Sequence, residues 1–206
     1  MDINAVSRVL HASGLDLFST RDLAVMFPAG ERDLANLQAH QWVRKGWIRR
    51  LKRGLFELAL PEPAVISDLF VANRLYEPSY VSLDTAMSHH GLVPEVAMQV
   101  TSVTSGTTKR FVNQHGVFTY FSVSPEAFGG YGVITVEGRQ VLMAEPEKAL
   151  VDRLYAGMRR GEPFKPLVER WNRNKIRRLN RGMMNRYAGL FGASQTRLKE
   201  RIDALT

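Results

Sequence analysis

A nineteen-residue stretch, residues 40–58, concentrates the side chains whose type and spacing could bind a polyanion. It reads HQWVRKGWIRRLKRGLFEL and carries six Lys or Arg side chains against one acid, Glu57. Cationic side chains neutralise phosphates and release the counterions condensed on nucleic acid, which supplies most of the sequence-independent affinity. The stretch therefore predicts a DNA-binding tip.

The paired histidines and the cysteine content argue against a metal site. His89 and His90 are adjacent, about 100° apart around a helix, whereas two ligands of one ion on a helix need a spacing such as i and i+4. We expect His90 to lie at a helix C-terminus beside Gly91 instead. The chain has no cysteine, so thiolate ligands, disulfides and a Cys nucleophile are excluded. The sequence predicts no metal and no cofactor.

Other groups that could support catalysis have a simpler structural interpretation. Glu145, Glu147 and Asp152 could form a carboxylate cluster, but the first two fall in the first turn of a predicted helix, where the helix dipole favours acids. The glycine-containing segments 106–110 and 129–132 match neither GxxxxGK[ST] nor GxGxxG. We expect the first to be a basic hairpin turn and the second a connection. The sequence predicts no catalytic residues and no enzymatic activity.

A predicted helix and a predicted ribbon position the cations of residues 40–58. The helix begins near Gly30 or Glu31, after the breaker at residues 27–30, and ends at Gly46, where a left-handed C-cap suits glycine. On a helical wheel one side carries Leu34, Ala35, Ala39 and Trp42. The other side carries Asp33, Leu37, His40, Gln41 and Arg44.

After Gly46 the pattern changes to period two, which is typical of strands. Trp47, Arg49, Leu51 and Arg53 alternate with Ile48, Arg50 and Lys52. Gly54 then turns the chain into a second short strand, residues 55–58. This pattern predicts a two-stranded ribbon with Lys52-Arg53-Gly54 at its tip, as in the wing of a winged helix-turn-helix.

The predicted DNA-binding residues form two groups. Those on the helix are candidates for contacts with base edges or nearby phosphates: Arg32, Asn36, His40, Gln41 and Arg44. Lys45, in the last turn of the helix, is a further DNA-binding candidate. Those on the ribbon are candidates for phosphate contacts: Arg49, Arg50, Lys52 and Arg53.

The sequence before this stretch supplies the other elements of such a domain. Residues 3–13 and 20–27 have helical spacing, and Ser19 precedes the second helix as an N-cap, with Asp22 as an acidic variant of the capping box. Helix, helix, breaker, helix and ribbon predict a winged helix-turn-helix DNA-binding domain at residues 1–60. Pro61-Glu62-Pro63 then reads as a linker.

The remaining residues, 64–206, predict a mixed helix and small antiparallel-sheet domain with a helical, basic C-terminus, so the fold class is α+β. The predicted helices are Val65–Tyr76, Ser82–His90 with Ser82 as its cap, one opened by Pro146, and three short ones broken at Asn180, Gly182, Gly189 and Gly192. The predicted strands are Met98–Thr104, Phe111–Asn113, Val117–Val123, Gly132–Val136 and Gln140–Met143.

The net charge of +8 is unevenly distributed along the chain. Counting Lys and Arg against Asp and Glu, residues 1–60 carry 9 against 6, residues 61–150 carry 5 against 9, and residues 151–206 carry 14 against 5. Five cations are candidates for an additional basic surface that contacts a nucleic acid or an acidic partner: Arg173, Lys175, Arg177, Arg178 and Arg181. The alternative is a solvated helical face.

Composition also bears on the cellular compartment. The absence of cysteine suits a reducing cytosol, and the N-terminus carries an acid where a signal peptide would carry basic residues. No apolar run approaches the roughly 18 residues of a membrane span. We expect a soluble cytoplasmic protein without a membrane partner.

Several segments together resemble a known family. YVSLDTAMSHHGLVPE, VTSVTSGTTKR, GVFTYFSVSPEAFGGYG and VLMAEPEKALVDRLY, following FSTRDLAVMF and VRKGWIRRLKRGLFEL, resemble the AbiEi family of bacterial antitoxins. The resemblance covers residues 18–58 and 80–155, and the last fifty residues only in their helical, basic character. Its most specific pieces are the tyrosine-serine helix that ends in His-Gly-Leu at residues 90–92 and the run Ala-Glu-Pro-Glu-Lys-Ala-Leu-Val-Asp at residues 144–152.

The resemblance implies an antitoxin of a type IV toxin-antitoxin system, with an N-terminal winged helix and a C-terminal antitoxin domain. Such a protein represses its own operon by binding inverted repeats in double-stranded DNA, and it counteracts a nucleotidyltransferase toxin. Two alternatives stay open. The second domain could bind the toxin directly as a protein-interaction module, or the chain could be a winged-helix transcription factor without a toxin partner.

Overall fold

The chain is a mixed α and β protein in two compact units. A computed structural model describes residues 2–26, 32–60, 65–95 and 97–205, and the side chains of residues 32–35 lie outside that description. Contacts group Met1–Ser67 with Val112–His115 in the first unit, and Asp68–Phe111 with Gly116–Thr206 in the second. The predicted linker at residues 61–63 and the breaker at residues 27–30 lie outside the described residues.

The first unit combines three helices with a small sheet. Its elements are α1 (Ile3–Ala12), β1 (Leu17–Ser19), α2 (Thr20–Met26), α3 (Arg32–Arg44), β2 (Ile48–Lys52) and β3 (Leu55–Leu58). The strands lie in the order β1, β3, β2, and both pairings are antiparallel. The sequence predicted only a two-stranded ribbon, because β1 has three residues and no readable alternation.

The core of the first unit gathers apolar side chains from all six elements: Ile3, Val6, Leu10, Phe18, Leu23, Ala39, Trp42, Ile48, Phe56 and Leu58. Trp42 is the largest of them and is fully buried, so the inward face predicted for α3 is confirmed at Ala39 and Trp42. Trp47 is half-buried and packs against this cluster. Since Trp42 points inward, the opposite side of α3 is turned to solvent.

Local hydrogen bonds fix the start of α2 and the end of α3. Ser19 and Asp22 form the predicted reciprocal cap: Ser19 N donates to Asp22 Oδ2 at 2.6 Å, and Asp22 N donates to Ser19 Oγ at 3.2 Å. Gly46 adopts φ +70° after α3. Its N–H donates to Val43 O at 3.1 Å and the N–H of Trp47 donates to Trp42 O at 3.0 Å. This pair of bonds is a Schellman motif, and it confirms the predicted helix end.

The strict alternation predicted for β2 is wrong at one point. Arg50 faces Phe56 and Lys52 faces Leu55, so the register shifts at Leu51. The shift turns Leu51 toward the core together with Ile48, and it leaves Arg49 and Arg50 both exposed. An extra residue in one strand of an antiparallel pair has this effect on the side-chain directions.

The first unit also buries an acid. Glu57 lies in the central strand β3 with only 1% of its surface exposed. Its Oε2 accepts hydrogen bonds from Gln114 Nε2 at 3.0 Å and from His115 Nε2 at 3.2 Å. Asn113 Nδ2 donates to Leu51 O at 3.3 Å. These bonds explain why residues 112–115 group with the first unit, and they satisfy a carboxylate that would be costly to bury alone.

The second unit contains a six-stranded sheet and seven α-helices among its described residues. The strands are β4 (Ser79–Val81), β5 (Val100–Thr104), β6 (Lys109–Asn113), β7 (Gly116–Ser122), β8 (Tyr131–Val136) and β9 (Arg139–Ala144). The helices are α4 (Asp68–Leu75), α5 (Leu83–His89), α6 (Pro146–Arg159), α7 (Phe164–Val168), α8 (Arg173–Ile176), α9 (Arg181–Gly189) and α10 (Gln195–Asp203).

The sheet has the strand order β6, β7, β5, β4, β9, β8. All five strands predicted for this part of the chain are present, but the predicted antiparallel sheet is wrong. β4 pairs with β9 and β5 pairs with β7 in parallel, whereas β4 with β5 and β8 with β9 are antiparallel. The central strand β4 was not predicted, because three residues between two helices carry no periodicity.

The helices of the second unit differ from the predictions in several bounds. α4 begins at Asp68 rather than Val65, and four short helices follow α6 rather than three. Gly182 lies inside α9, while Asn180 caps that helix by accepting from Met183 N at 3.0 Å. The predicted opening of α6 at Pro146 is confirmed. Within the described residues, no helix combines the length and the apolar character that a bilayer span requires.

Candidate nucleic-acid interface

The outer face of α3 presents polar side chains to solvent. His40, Gln41, Arg44 and Leu37 are exposed, as the helical wheel predicted, and Asn36 is exposed as well. Gln38 Nε2 donates to Gln41 Oε1 at 3.3 Å. The side chain of Arg32, the remaining helix candidate, lies outside the described residues. The exposed amide, imidazole and guanidinium groups include the donors and acceptors that could pair with base edges.

A hydrogen bond joins α3 to β2. Arg50 Nη2 lies 3.1 Å from His40 Nδ1. A guanidinium only donates, so Nδ1 accepts, and the proton of the neutral ring is on Nε2. This bond brings one predicted ribbon cation against one predicted helix residue. The sequence did not reveal the pairing, because it depends on the register of β2 against the core.

The other predicted DNA-binding cations lie at the end of α3 and along β2. Lys45 is exposed and its Nζ lies 4.4 Å from the centroid of the Trp47 ring, in cation–π contact. Arg49 and Arg53 are exposed, whereas Lys52 is half-buried. Arg53 immediately precedes the turn at Gly54, which has φ +77°. We call these residues the α3–β2 surface: Asn36, His40, Gln41, Arg44, Lys45, Arg49, Arg50, Lys52 and Arg53.

The α3–β2 surface is electrostatically unbalanced. Within the part of the chain that the structure describes, no carboxylate lies within 4.0 Å of the guanidinium or ammonium groups of Arg44, Lys45, Arg49, Arg50 or Arg53. The acid that follows β2 in the sequence, Glu57, is buried and bonded to Gln114 and His115. A cluster of exposed cations without internal counterions favours binding of a polyanion.

The second predicted basic surface lies in the other unit. Arg173 and Lys175 are on α8, Arg177 and Arg178 follow it, and Arg181 begins α9. All five side chains are exposed. Arg181 Nη2 donates to Asp203 Oδ1 at 2.5 Å, so part of its charge is compensated. The five cations thus belong to a different compact unit from the α3–β2 surface.

The second unit also contains a buried cluster of charged and polar side chains. Lys148 and Asp152 are 0% and 1% exposed. Lys148 Nζ donates to Asp152 Oδ1. Asp152 Oδ2 accepts from Tyr80 Oη at 3.0 Å and from Ser82 Oγ at 2.8 Å. Because both charged groups are shielded from solvent and bonded to each other, this cluster forms a buried network that links α6 to the segment 80–82.

This network corrects two sequence predictions. Ser82 was expected to cap α5, but its hydroxyl makes no cap hydrogen bond and donates to Asp152 instead. Asp152 was grouped with Glu145 and Glu147, although its partner is Lys148, one helical turn earlier. The i and i+4 spacing of Lys148 and Asp152 on α6 was a readable signal for this pair.

Burial dominates the electrostatics of the cluster. It raises the pKa of Asp152, while the ammonium of Lys148 and the two hydroxyl donors oppose that shift by stabilising the carboxylate. Burial and the neighbouring Asp152 also raise the pKa of Tyr80 well above its ordinary range, so its hydroxyl stays protonated and donates.

The carboxylates of the two acids at the start of α6 bind groups in the segment around α9. Glu145 occupies the N-cap position without a side-chain cap bond. Its Oε2 accepts from Tyr187 Oη at 2.5 Å, and burial with this bond raises the pKa of Tyr187 to about 12. Glu147 Oε1 accepts from Asn180 N at 2.9 Å. The predicted position of both acids at the start of the helix is confirmed, while their carboxylates tie α6 to the segment around α9.

His90 lies at the end of α5 before Gly91, which has φ +67°, as predicted. Its Nε2–H donates to Ala144 O at 2.8 Å. Burial lowers its pKa. Among the described residues, no group of three or more His, Asp or Glu side chains is placed to hold a metal ion.

Replacing Lys148 should expose the cost of an unpaired buried charge. We expect Lys148→Met to lower the free energy of unfolding by about 3–5 kcal/mol, since it leaves the Asp152 carboxylate without its cation. Adding Asp152→Asn removes that charge and keeps an acceptor for Tyr80 and Ser82, so the double variant should recover much of the stability. Urea unfolding followed by circular dichroism measures both. A single variant within about 1 kcal/mol of the parent would contradict this account.

His90 should make stability depend on pH on the acidic side. Its folded-state pKa is below the ordinary value of 6.5, so the unfolded chain takes up a proton more readily. The contribution of neutral His90 to the free energy of unfolding is present above pH 6.5 and is lost as pH falls through the lower folded-state pKa. Urea midpoints between about pH 7.5 and 5 should fall more for the parent than for His90→Gln. The exposed neighbour His89 supplies the control variant, His89→Gln. If the urea midpoints of His90→Gln and His89→Gln depended equally on pH, the assignment to His90 would be refuted.

Comparison with known proteins adds no family assignment. No model of a known protein family matches the chain, and no curated protein sequence matches it significantly.

Proposed function

We propose that the chain is a DNA-binding repressor whose first unit is a winged helix-turn-helix. The observation that carries the proposal is the α3–β2 surface, where exposed cations that have no carboxylate partner among the described residues lie beside exposed amide and imidazole groups. The order of elements, with α2 and α3 followed by the antiparallel strands β2 and β3, supports the same proposal.

In the proposed complex α3 enters the major groove. Ala39 and Trp42 hold the inner face of α3 on the core, so Asn36, His40 and Gln41 are free to face base edges. Arg44 and Lys45 lie at the C-terminal end of α3, within reach of bases or flanking phosphates. Phosphate contacts fix the position of a protein on the duplex, whereas base contacts determine which sequence it prefers.

The strand β2 supplies the flanking phosphate contacts in this proposal. The register shift at Leu51 leaves Arg49 and Arg50 adjacent and exposed, and Arg53 is exposed beside the turn. Arg50 also donates to His40, so its guanidinium is held against α3. A guanidinium that is already oriented loses less conformational freedom when it binds a phosphate.

The antitoxin part of the proposal rests on the resemblance to the AbiEi family. It extends over residues 80–155, which lie mostly in the second unit, and it includes the Lys148–Asp152 network. We propose that the chain represses its own operon and counteracts a nucleotidyltransferase toxin. Coexpression with the product of the adjacent reading frame tests this step, since the chain should relieve growth arrest caused by that product. Growth arrest that the chain does not relieve would refute it.

Base readout by α3 predicts a loss of sequence preference. Gln41→Ala and Arg44→Ala should each reduce the preference for DNA upstream of the chain's own gene over scrambled DNA by about 1–3 kcal/mol. Arg53→Ala should weaken binding to both DNAs alike, because a phosphate contact carries no sequence information. Competition binding at one salt concentration measures both effects. Equal losses on the two DNAs from every α3 variant would exclude base readout.

Phosphate contacts by β2 predict a change in salt dependence. The triple variant Arg49→Gln, Arg50→Gln, Arg53→Gln should flatten the plot of log affinity against log salt by about 0.9 for each phosphate that the variant no longer neutralises. The matched control removes three charges from the other unit, as Arg173→Gln, Arg177→Gln, Arg178→Gln. An equal change of slope in this control would contradict the assignment of the phosphate contacts to the α3–β2 surface.

A further inference from the structure

The outer strand β8 is an uncharged edge of the six-stranded sheet. It spans Tyr131–Val136 with the sequence YGVITV, and among the described strands it pairs only with β9. Edge strands commonly carry charged residues that prevent further pairing. The opposite edge, β6, begins with the exposed cations Lys109 and Arg110. β8 has no such protection, although all of its residues except Gly132 have high strand propensity.

The hairpin geometry shows which backbone groups of β8 point outward. Glu137 and Gly138 form a two-residue turn with φ of 51° and 75°, which makes Val136 and Arg139 the hydrogen-bonded pair beside it. Hydrogen-bonded and non-hydrogen-bonded pairs alternate from there. The alternation places the N–H and C=O groups of three residues on the free edge: Tyr131, Val133 and Thr135.

The partner strand gives an independent check of this alternation. Val133 lies opposite Leu142. The N–H of Leu142 donates to Asn73 Oδ1 at 2.6 Å, and the carbonyl of Leu142 accepts from Asn73 Nδ2 at 3.3 Å. Leu142 therefore directs its backbone groups away from β8. Its opposite residue, Val133, must likewise direct its own N–H and C=O away from β9.

The side chains beside this free edge are apolar or uncharged. Tyr131 and Val133 are 36% and 58% exposed and share one face of the sheet, since they are two positions apart. Thr135 continues that face and is also exposed. The strand thus offers backbone donors and acceptors together with uncovered apolar surface.

We propose that β8 is a self-association edge that pairs antiparallel with β8 of a second copy of this chain. With Val133 on the two-fold axis, Tyr131 faces Thr135 of the partner subunit, and each of the three facing pairs exchanges two backbone hydrogen bonds. All three facing pairs are uncharged, so no like-charge repulsion opposes the pairing of two copies. This symmetric pairing would join two six-stranded sheets into one continuous sheet.

The proposal does not depend on DNA binding, and the oligomeric state of the full chain tests it. We expect sedimentation velocity to show a concentration-dependent dimer. Val133→Lys places two ammonium groups opposite each other at the two-fold axis, so it should raise the dimer dissociation constant about tenfold or more. Val112→Lys is the matched control, since Val112 is 60% exposed on the opposite edge strand. It should leave the dimer intact.

A second variant keeps the test independent of folding defects. The chain has no cysteine, so Val133→Cys introduces a single thiol. A short bis-maleimide linker should convert Val133→Cys into a covalent dimer, and it should leave Val112→Cys monomeric under the same conditions. A parent chain that stays monomeric at high concentration, or a folded Val133→Lys variant that remains as dimeric as the parent, would overturn the proposal.

Discussion

The burial of Trp42 is the constraint on which the α3–β2 surface depends. With the Trp42 ring inside the core of the first unit, the opposite side of α3 must face solvent, and that side carries His40 and Gln41. Gly46 then ends the helix in a left-handed conformation, which allows β2 to begin two residues later. The same core buries Ile48, and the exposed cations of β2 follow from that packing. The hydrogen bond from Arg50 to His40 links the two elements into one surface.

The parts of this arrangement that depend only on residues close together in the sequence could be predicted from the sequence. The cap formed by Ser19 with Asp22 and the helix end at Gly46 are local, and the buried position of Trp42 follows from helical periodicity. The register shift at Leu51 was not predictable, because strand pairing with β3 determines it. Ser82 shows the same limit, since a local motif suggested a cap, whereas its hydroxyl donates a hydrogen bond to an acid 70 residues away.

The second unit shows why charge composition alone does not identify a binding surface. Lys148 is a cation of the basic chain, yet it is fully buried and neutralised by Asp152. Arg181 is exposed but pairs with Asp203. Arg49 and Arg50 are exposed without carboxylate partners among the described residues. Only cations of the last kind contribute fully to the attraction of a polyanion, because paired charges have little field beyond their partners.

The central claim is that the α3–β2 surface binds duplex DNA with sequence preference. Fluorescence anisotropy of the full chain on DNA immediately upstream of its own gene, compared with scrambled DNA at several salt concentrations, tests it most directly. The account predicts tighter binding to the upstream DNA and an affinity that falls steeply with salt, as several phosphate contacts require. Weak binding that is equal on both DNAs and insensitive to salt would contradict it.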